Sequence, residues 1–148
     1  MMKSLKNLFT PKTPAEQPMP SEVAVAALLV EAALVDGVYV NIESDMIAEI
    51  LLESFNFDAD KADAVLAEAE ALAEEAVGSH QFTKHAKKLP MADRVKVIEA
   101  IYRVILSDGE RSDVEEAYVR HVAGLLYVDD IARAEARKRA ELRSSEAG

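Results

Sequence analysis

Apolar residues recur at helical spacing along most of this chain, with polar residues in the intervals between them. No stretch shows the strict alternation that is typical of a half-buried strand. The pattern therefore predicts an all-α fold, a compact bundle of about seven helices. The predicted helices cover residues 22–35, 42–54, 59–77, 80–88, 91–107, 113–127 and 129–143.

The first predicted helix is almost wholly apolar, since Glu31 is the only charge between Val23 and Val35. A helix that is apolar on every side is buried on every side, so we expect it at the centre of the fold. Glu31 then needs a partner, because burying an unpaired carboxylate is costly. We predict an ion pair between Glu31 and Arg103, with a ligand role for Glu31 as the alternative.

Residues that start and stop helices stand at the predicted boundaries. N-capping residues are expected at Ser21, Asn41, Asp58, Ser79 and Ser112. Ser112 and Glu115 have the spacing of a capping box. Gly37, Gly78 and Gly109 are expected to end the helices that precede them. Basic residues near Arg143 are expected to complement the dipole of the last helix.

An Asp–Gly pair follows two of the apolar helices, at Asp36-Gly37 and at Asp108-Gly109. A glutamate follows each pair, and the offset from 36 to 108 and from Glu43 to Glu115 is 72 positions in both cases. This recurrence predicts two similar helical hairpins. We call the turn between the two helices of each hairpin a corner, and we call Asp36, Glu43, Asp108 and Glu115 the corner acids. The corner acids of the two hairpins should hold equivalent places in the fold.

Four of the five prolines lie between residues 11 and 20, where each removes a backbone donor and disfavours helix in its predecessor. We therefore divide the chain into a flexible N-terminal tail (1–20), a helical domain (21–143) and a short C-terminal tail (144–148). The tail contains no apolar run that is long enough for a signal peptide or a membrane span. Lys3 and Lys6 beside Leu5 and Phe9 allow only weak contact with an anionic membrane.

The chain carries 27 acidic and 17 basic residues, a net charge of −10, and no cysteine. This charge opposes the binding of nucleic acid, which depends on releasing counterions from phosphates. The absence of cysteine excludes disulfides and thiolate metal sites and is typical of a cytoplasmic protein. An acidic surface favours cations and basic protein partners.

The corner acids supply oxygen ligands only, which is the ligand set that calcium, magnesium and manganese prefer. The second corner is not an EF-hand: counted from Asp108, Asp113 falls where glycine is required and Val119 where the bidentate glutamate belongs. A structural role is the alternative. Aspartates can accept from turn amides, and glutamates in a first helical turn contribute about 0.3 to 1 kcal/mol each.

No catalytic motif is present, so we predict a non-enzymatic protein. The sequence lacks a phosphate-binding glycine loop, a nucleophile elbow and a HExxH pair. His80 and His85 are five positions apart, which does not bring two imidazoles together on one helix as a spacing of four does. We expect these histidines and His121 at the surface or its boundary.

The chain resembles the TerB superfamily of tellurite-resistance proteins, and in particular its small stand-alone bacterial members, over about residues 21–141. The resemblance rests on Gln81-Phe82-Thr83, on the run from Arg94 through Ser107-Asp108-Gly109-Glu110, and on the first hairpin from Leu29 to the Phe55 segment. It implies a fold of about seven helices with internal two-fold similarity, and an association with metals and stress response. A related domain occurs in membrane-anchored co-chaperones.

The resemblance also implies which acids bind a cation. The family acids fall on Asp36, Glu43, Asp108 and Glu115, with Glu31 and Glu110 as weaker matches. Val38 and Val40 replace polar residues that are usual in the first loop. Two functions follow: a stress-linked module that binds calcium, magnesium or manganese through these carboxylates, or a metal-free, co-chaperone-like adaptor that docks a protein partner. The sequence does not separate them, and it leaves the oligomeric state open.

Overall fold

Seven α-helices hold most of the residues that the computed structural model describes, which are 19–35, 37, 39, 41–107 and 112–147. No strand occurs in these ranges, so the all-α prediction is confirmed. The helices are α1 (Ser21–Leu34), α2 (Asn41–Phe55), α3 (Ala59–Glu75), α4 (His80–Ala86), α5 (Met91–Leu106), α6 (Asp113–Leu125) and α7 (Asp130–Ala147). No described helix is long and apolar enough to cross a membrane.

Helix α1 forms the centre of the bundle, as its apolar sequence predicts. Ten of its 14 residues are buried, and α2, α3, α4, α5 and α6 all pack against it. Helix α3 packs closely along α1 through small buried residues, among them Ala62, Ala69 and Ala73. Because alanine leaves room for a neighbouring backbone, the two helices can approach over much of their length.

Helix α5 connects this centre to the C-terminal part of the chain. Its buried side includes Ile98, Ile101 and Tyr102, and α5 packs against α1, α6 and α7. Helix α7 packs mainly on α5, through the buried Ala136 and Ala140. The two helix pairs α1–α2 and α5–α6 are thus joined directly by the packing of α1 on α5.

The N-terminal caps agree with the prediction at two helices. Asp58 Oδ1 accepts from the N–H of Lys61 at 2.8 Å, and Ser112 Oγ accepts from the N–H of Glu115 at 3.1 Å. The predicted caps at Ser21 and Asn41 are wrong, because each is instead the first residue of its helix.

Ser79 stands at the predicted capping position of α4, but its side chain caps nothing. Its hydroxyl donates to Glu31 Oε1 instead, at 2.8 Å. A tertiary hydrogen bond has replaced the local one that the sequence predicts.

Gly37 ends α1 as predicted, with φ at +86° and its N–H donating to Leu34 O at 2.8 Å. Gly109 lies outside the described residues. The prediction for Gly78 is wrong: α3 ends at Glu75, and the extended conformation of Ala76 stops the helix.

Among the described residues other than glycine, two adopt a left-handed conformation that the sequence did not indicate. Asn56 (φ 57°) follows α2, and Tyr127 (φ 60°) follows α6. The N–H groups of Tyr127 and Val128 donate to Gly124 O and Ala123 O, which is the Schellman pattern.

The last helix continues past Arg143, its predicted end, to Ala147. Residues assigned to a C-terminal tail are therefore helical up to that point. The basic residues do not complement the helix dipole as predicted, because none lies in the last turn. They pair with acids instead: Arg139 Nε lies 2.6 Å from Glu99 Oε1, and Arg143 Nη1 lies 3.7 Å from Glu53 Oε2.

Candidate functional site

The two glutamates that recur in the sequence occupy matching positions in the structure. Glu43 lies in the first turn of α2 and is 1% exposed, while Glu115 lies in the first turn of α6 and is 2% exposed. They are the only acidic residues in the described part of the chain that are buried to this degree. Burying a carboxylate requires compensating contacts, so the surrounding structure must stabilise the side chain at each of these two positions.

At the second corner, Ser112 binds Glu115 twice. Its Oγ accepts from the Glu115 N–H at 3.1 Å and lies 3.0 Å from Glu115 Oε1. The serine half of the predicted capping box is therefore confirmed. This contact fixes the glutamate side chain at the start of α6, where the positive end of the helix dipole favours a negative charge.

The first corner contains a further acid, Glu70, which sequence reasoning missed. The hydroxyl of Tyr39 donates to Glu70 Oε2 at 2.7 Å, which brings α3 to the loop between α1 and α2. Burial raises the pKa of Tyr39 strongly, and the hydrogen bond to Glu70 and the charges of Glu70 and Glu43 raise it further. Two carboxylates thus act on one hydroxyl here. The sequence signal of Glu70 was that of an ordinary solvent-facing acid on α3.

Glu31 does not pair with Arg103, so this prediction is wrong. The hydroxyls of Ser79 and Tyr118 lie 2.8 Å and 3.0 Å from Glu31 Oε1. Arg103 Nη1 instead lies 3.1 Å from Glu53 Oε2. The buried end of Glu31 is therefore satisfied by neutral donors, and Glu31 holds α1 to α6 and to the α3–α4 junction.

Glu116 follows Glu115 directly but has a different environment. Its Oε1 lies 3.2 Å from Arg133 Nη1, 3.5 Å from Arg137 Nη1 and 3.3 Å from the hydroxyl of Tyr102. Two guanidinium groups neutralise this carboxylate. Glu116 thus joins α6 to α5 and α7 through these contacts, and we exclude it as a cation ligand.

A cavity of about 220 Å³ lies between α5, α6 and α7 at the second corner. Tyr102 and Ile105 form an apolar side, and Ser112, Glu115 and Arg137 contribute polar atoms. Glu115 is therefore one of the residues that line a cavity at the second corner.

Three of the predicted ligands, Asp36, Asp108 and Glu110, lie outside the described residues. Within the ranges that are described, no group of three or more acidic, histidine or cysteine side chains is close enough to hold a metal ion. The structure thus places Glu43 and Glu115 at their corners and puts Glu31 in a hydrogen-bonded role. The two glutamates offer a cation only oxygen atoms as ligands, as the sequence indicated.

The histidines lie at or near the surface, as predicted. His80 and His121 are exposed, and His85 is half-buried. Burial lowers the pKa of His85, and the charges of Lys88 and Lys84 lower it further.

These features define an all-helical, acidic protein with one buried carboxylate at the corner of each of two helix pairs. The family model described as Tellurite resistance protein TerB matches residues 22–138. The chain therefore belongs to the TerB family, and the resemblance seen in the sequence is confirmed. No curated protein and no solved structure matches the chain.

Proposed function

We propose that this protein is a non-enzymatic module that binds a divalent cation at its helix-pair corners. One observation carries the proposal: Glu43 and Glu115 are both almost fully buried in the first turn of the second helix of a pair. A capping role alone is satisfied at the surface and does not require burial of the carboxylate.

The charge around the first corner supports a cation there. The C-terminal end of α1 carries the negative end of the helix dipole, and no basic residue lies in its last turn. Asp36 follows this end in the sequence. Negative charge thus accumulates between α1 and α2, and Glu70 adds to it from α3. A calcium, magnesium or manganese ion offsets such charge with oxygen ligands.

In this proposal Glu43 acts with Asp36, and Glu115 acts with Asp108. Isothermal titration of the full chain with calcium, manganese and magnesium tests it, together with elemental analysis of protein purified without chelator. Glu43→Gln and Glu115→Gln should each weaken binding, since they keep the side-chain shape and remove the charge. Glu68→Gln is the matched control, because Glu68 is an exposed acid on α3.

The same titration also tests the two aspartates together. The Asp36→Asn, Asp108→Asn double variant should lose the saturable heat that the unchanged chain gives. An absence of saturable heat at millimolar metal, or equal binding by the double variant, overturns the cation proposal.

A metal-free adaptor is the second candidate, and the outer face of α3 favours it. Asp60, Asp63, Glu68, Glu74 and Glu75 are all exposed on this helix, with Lys61 as its only base. Such a face suits a basic protein partner by charge complementarity. Crosslinking in cells tests this candidate. Capture of a partner supports it over the first candidate if the capture is lost in the Glu68→Lys, Glu75→Lys double variant and is unaffected by chelator.

A further inference from the structure

Helix α7 presents two large apolar side chains to solvent. Ile131 is 73% exposed and Leu142 is 61% exposed, although both lie in a folded helix. The helix packs on α5 through Ala136 and Ala140, which are 0% and 1% exposed. Ile131 and Leu142 therefore lie on the face that points away from the bundle.

The residues between them continue one stripe. Ile131, Glu135, Lys138 and Leu142 are separated by four, three and four positions, which is the spacing of a coiled-coil seam. A helix of 3.6 residues per turn puts all four on one face, opposite Ala136 and Ala140. We call these four residues the α7 seam. A shallow groove of about 320 Å³ follows it, lined by Asp130, Ile131, Ala134, Glu135 and Lys138.

We propose that the α7 seam is the interface of a homodimer in which the α7 helices of two copies pack antiparallel. In the register centred between residues 136 and 137, Ile131 of one copy faces Leu142 of the second. Glu135 of the first copy then faces Lys138 of the second. The two-fold axis repeats both contacts, so one face meets its own complement.

The charges select the antiparallel arrangement. A parallel pair in register would put Glu135 against Glu135 and Lys138 against Lys138, and like charges in an interface are unfavourable. The antiparallel pair brings opposite charges together at both central positions and encloses them between the Ile131–Leu142 contacts. The charges of the α7 seam thus specify both a second copy of the chain as the partner and the antiparallel direction of its helix.

The dimer is a weak and reversible one. The seam belongs to a single helix of 18 residues, about 27 Å long, so the contact area falls in the range of transient interfaces. Each copy also carries a net charge of −10, which opposes association at long range. Dimerisation therefore depends on protein concentration.

Sedimentation velocity of the full chain over a range of concentrations tests the proposal. The unchanged protein should show a monomer–dimer equilibrium. Glu135→Lys and Lys138→Glu should each lower the association constant by about tenfold or more, since each puts four like charges at the centre. The double variant with both changes should dimerise again, and an equimolar mixture of the two single variants should form a mixed dimer.

Leu142→Ser should weaken the dimer because it removes half of the apolar contact. Val77→Ser is the matched control, because Val77 is fully exposed but lies outside the helices. Circular dichroism checks that each variant keeps its helical content. A monomer at every concentration, a dimer that is insensitive to both single reversals, or a double variant that stays monomeric overturns the proposal.

Discussion

The hydroxyl of Tyr118 lies 3.0 Å from Glu31 Oε1 and thereby joins two residues that are 87 positions apart in the sequence. It also lies 2.9 Å from the carbonyl oxygen of Leu28, so its single proton is shared between two acceptors. Ser79 donates to the same carboxylate oxygen at 2.8 Å. This arrangement lets a carboxylate stand in the most apolar helix of the bundle.

Tyr118→Phe should destabilise the protein by about 1 to 3 kcal/mol, because it leaves the partly buried Glu31 carboxylate and the Leu28 carbonyl without this donor. Urea unfolding followed by circular dichroism measures the change. Tyr127→Phe is the control, since Tyr127 is 69% exposed and its contact with Lys87 is made by the ring, which phenylalanine keeps. Equal effects of the two changes would contradict the assignment.

The double variant Tyr118→Phe, Ser79→Ala tests whether the two hydroxyls support one another. Each remaining donor partly compensates when the other is removed, because both serve Glu31 Oε1. The loss from both changes should therefore exceed the sum of the single losses, by about 0.5 to 1 kcal/mol. Strict additivity would show that the two hydroxyls act independently.

Stability should fall as the pH rises above the ordinary pKa of tyrosine, about 10. Burial raises the pKa of Tyr118 well above that value, and the charge of Glu31 and the hydrogen bond to it raise it further. Since the folded pKa exceeds the unfolded one, the stabilisation is complete below the unfolded pKa and is lost as the pH rises toward the folded pKa. Unfolding free energies measured between neutral pH and pH 11 should decline less steeply in Tyr118→Phe. Parallel curves for the two proteins would rule out this origin of the alkaline sensitivity.

Glu116→Gln should cost about 1 to 2 kcal/mol of stability, because it removes the charge that holds Arg133 and Arg137 against α6. The side chain is 28% exposed, so solvent screens the interaction only in part. Thermal unfolding at low and high salt measures the loss. Glu68→Gln, at an exposed position of α3, should change stability by less than about 0.5 kcal/mol. A comparable effect of the two changes would mean that the arginine contacts contribute nothing.

Gly37→Ala should destabilise the fold by about 1 kcal/mol, because the backbone at this position has φ of +86°. No atom of the described residues beyond its chain neighbours lies within 4 Å of the added Cβ, so the expected cost is that of the backbone conformation. Gly78→Ala, which also meets open space but has no positive φ, should be neutral or slightly stabilising. Chemical denaturation of both variants makes the comparison, and a harmless Gly37→Ala would contradict it.

Most of the fold could be predicted from the sequence because the relevant signals are local. The apolar run of α1 indicated a central helix, and helical spacing located all seven helices to within a few residues. Asp58, Ser112 and Gly37 were assigned correctly, since a cap or a helix stop depends on neighbours that are three or four positions away. The internal duplication stays a prediction.

The candidate site could be predicted from the sequence only in part. The sequence placed Glu43 and Glu115 at the starts of helices, but their nearly complete burial depends on the elements that pack over them. Glu70 was missed because it reaches the first corner from α3, through Tyr39 and across 31 positions.

Local pattern thus determined the helices, their order and the acidic character of their corners. The tertiary structure alone decided the partners of the polar side chains. Glu31 accepts from Ser79 and Tyr118, and Arg103 pairs with Glu53. The Ser79 hydroxyl binds Glu31 and does not cap its own helix. The physical reason is that a helix is specified by contacts within one or two turns, whereas a buried polar group binds whichever donor the packed chain brings within 3 Å of it.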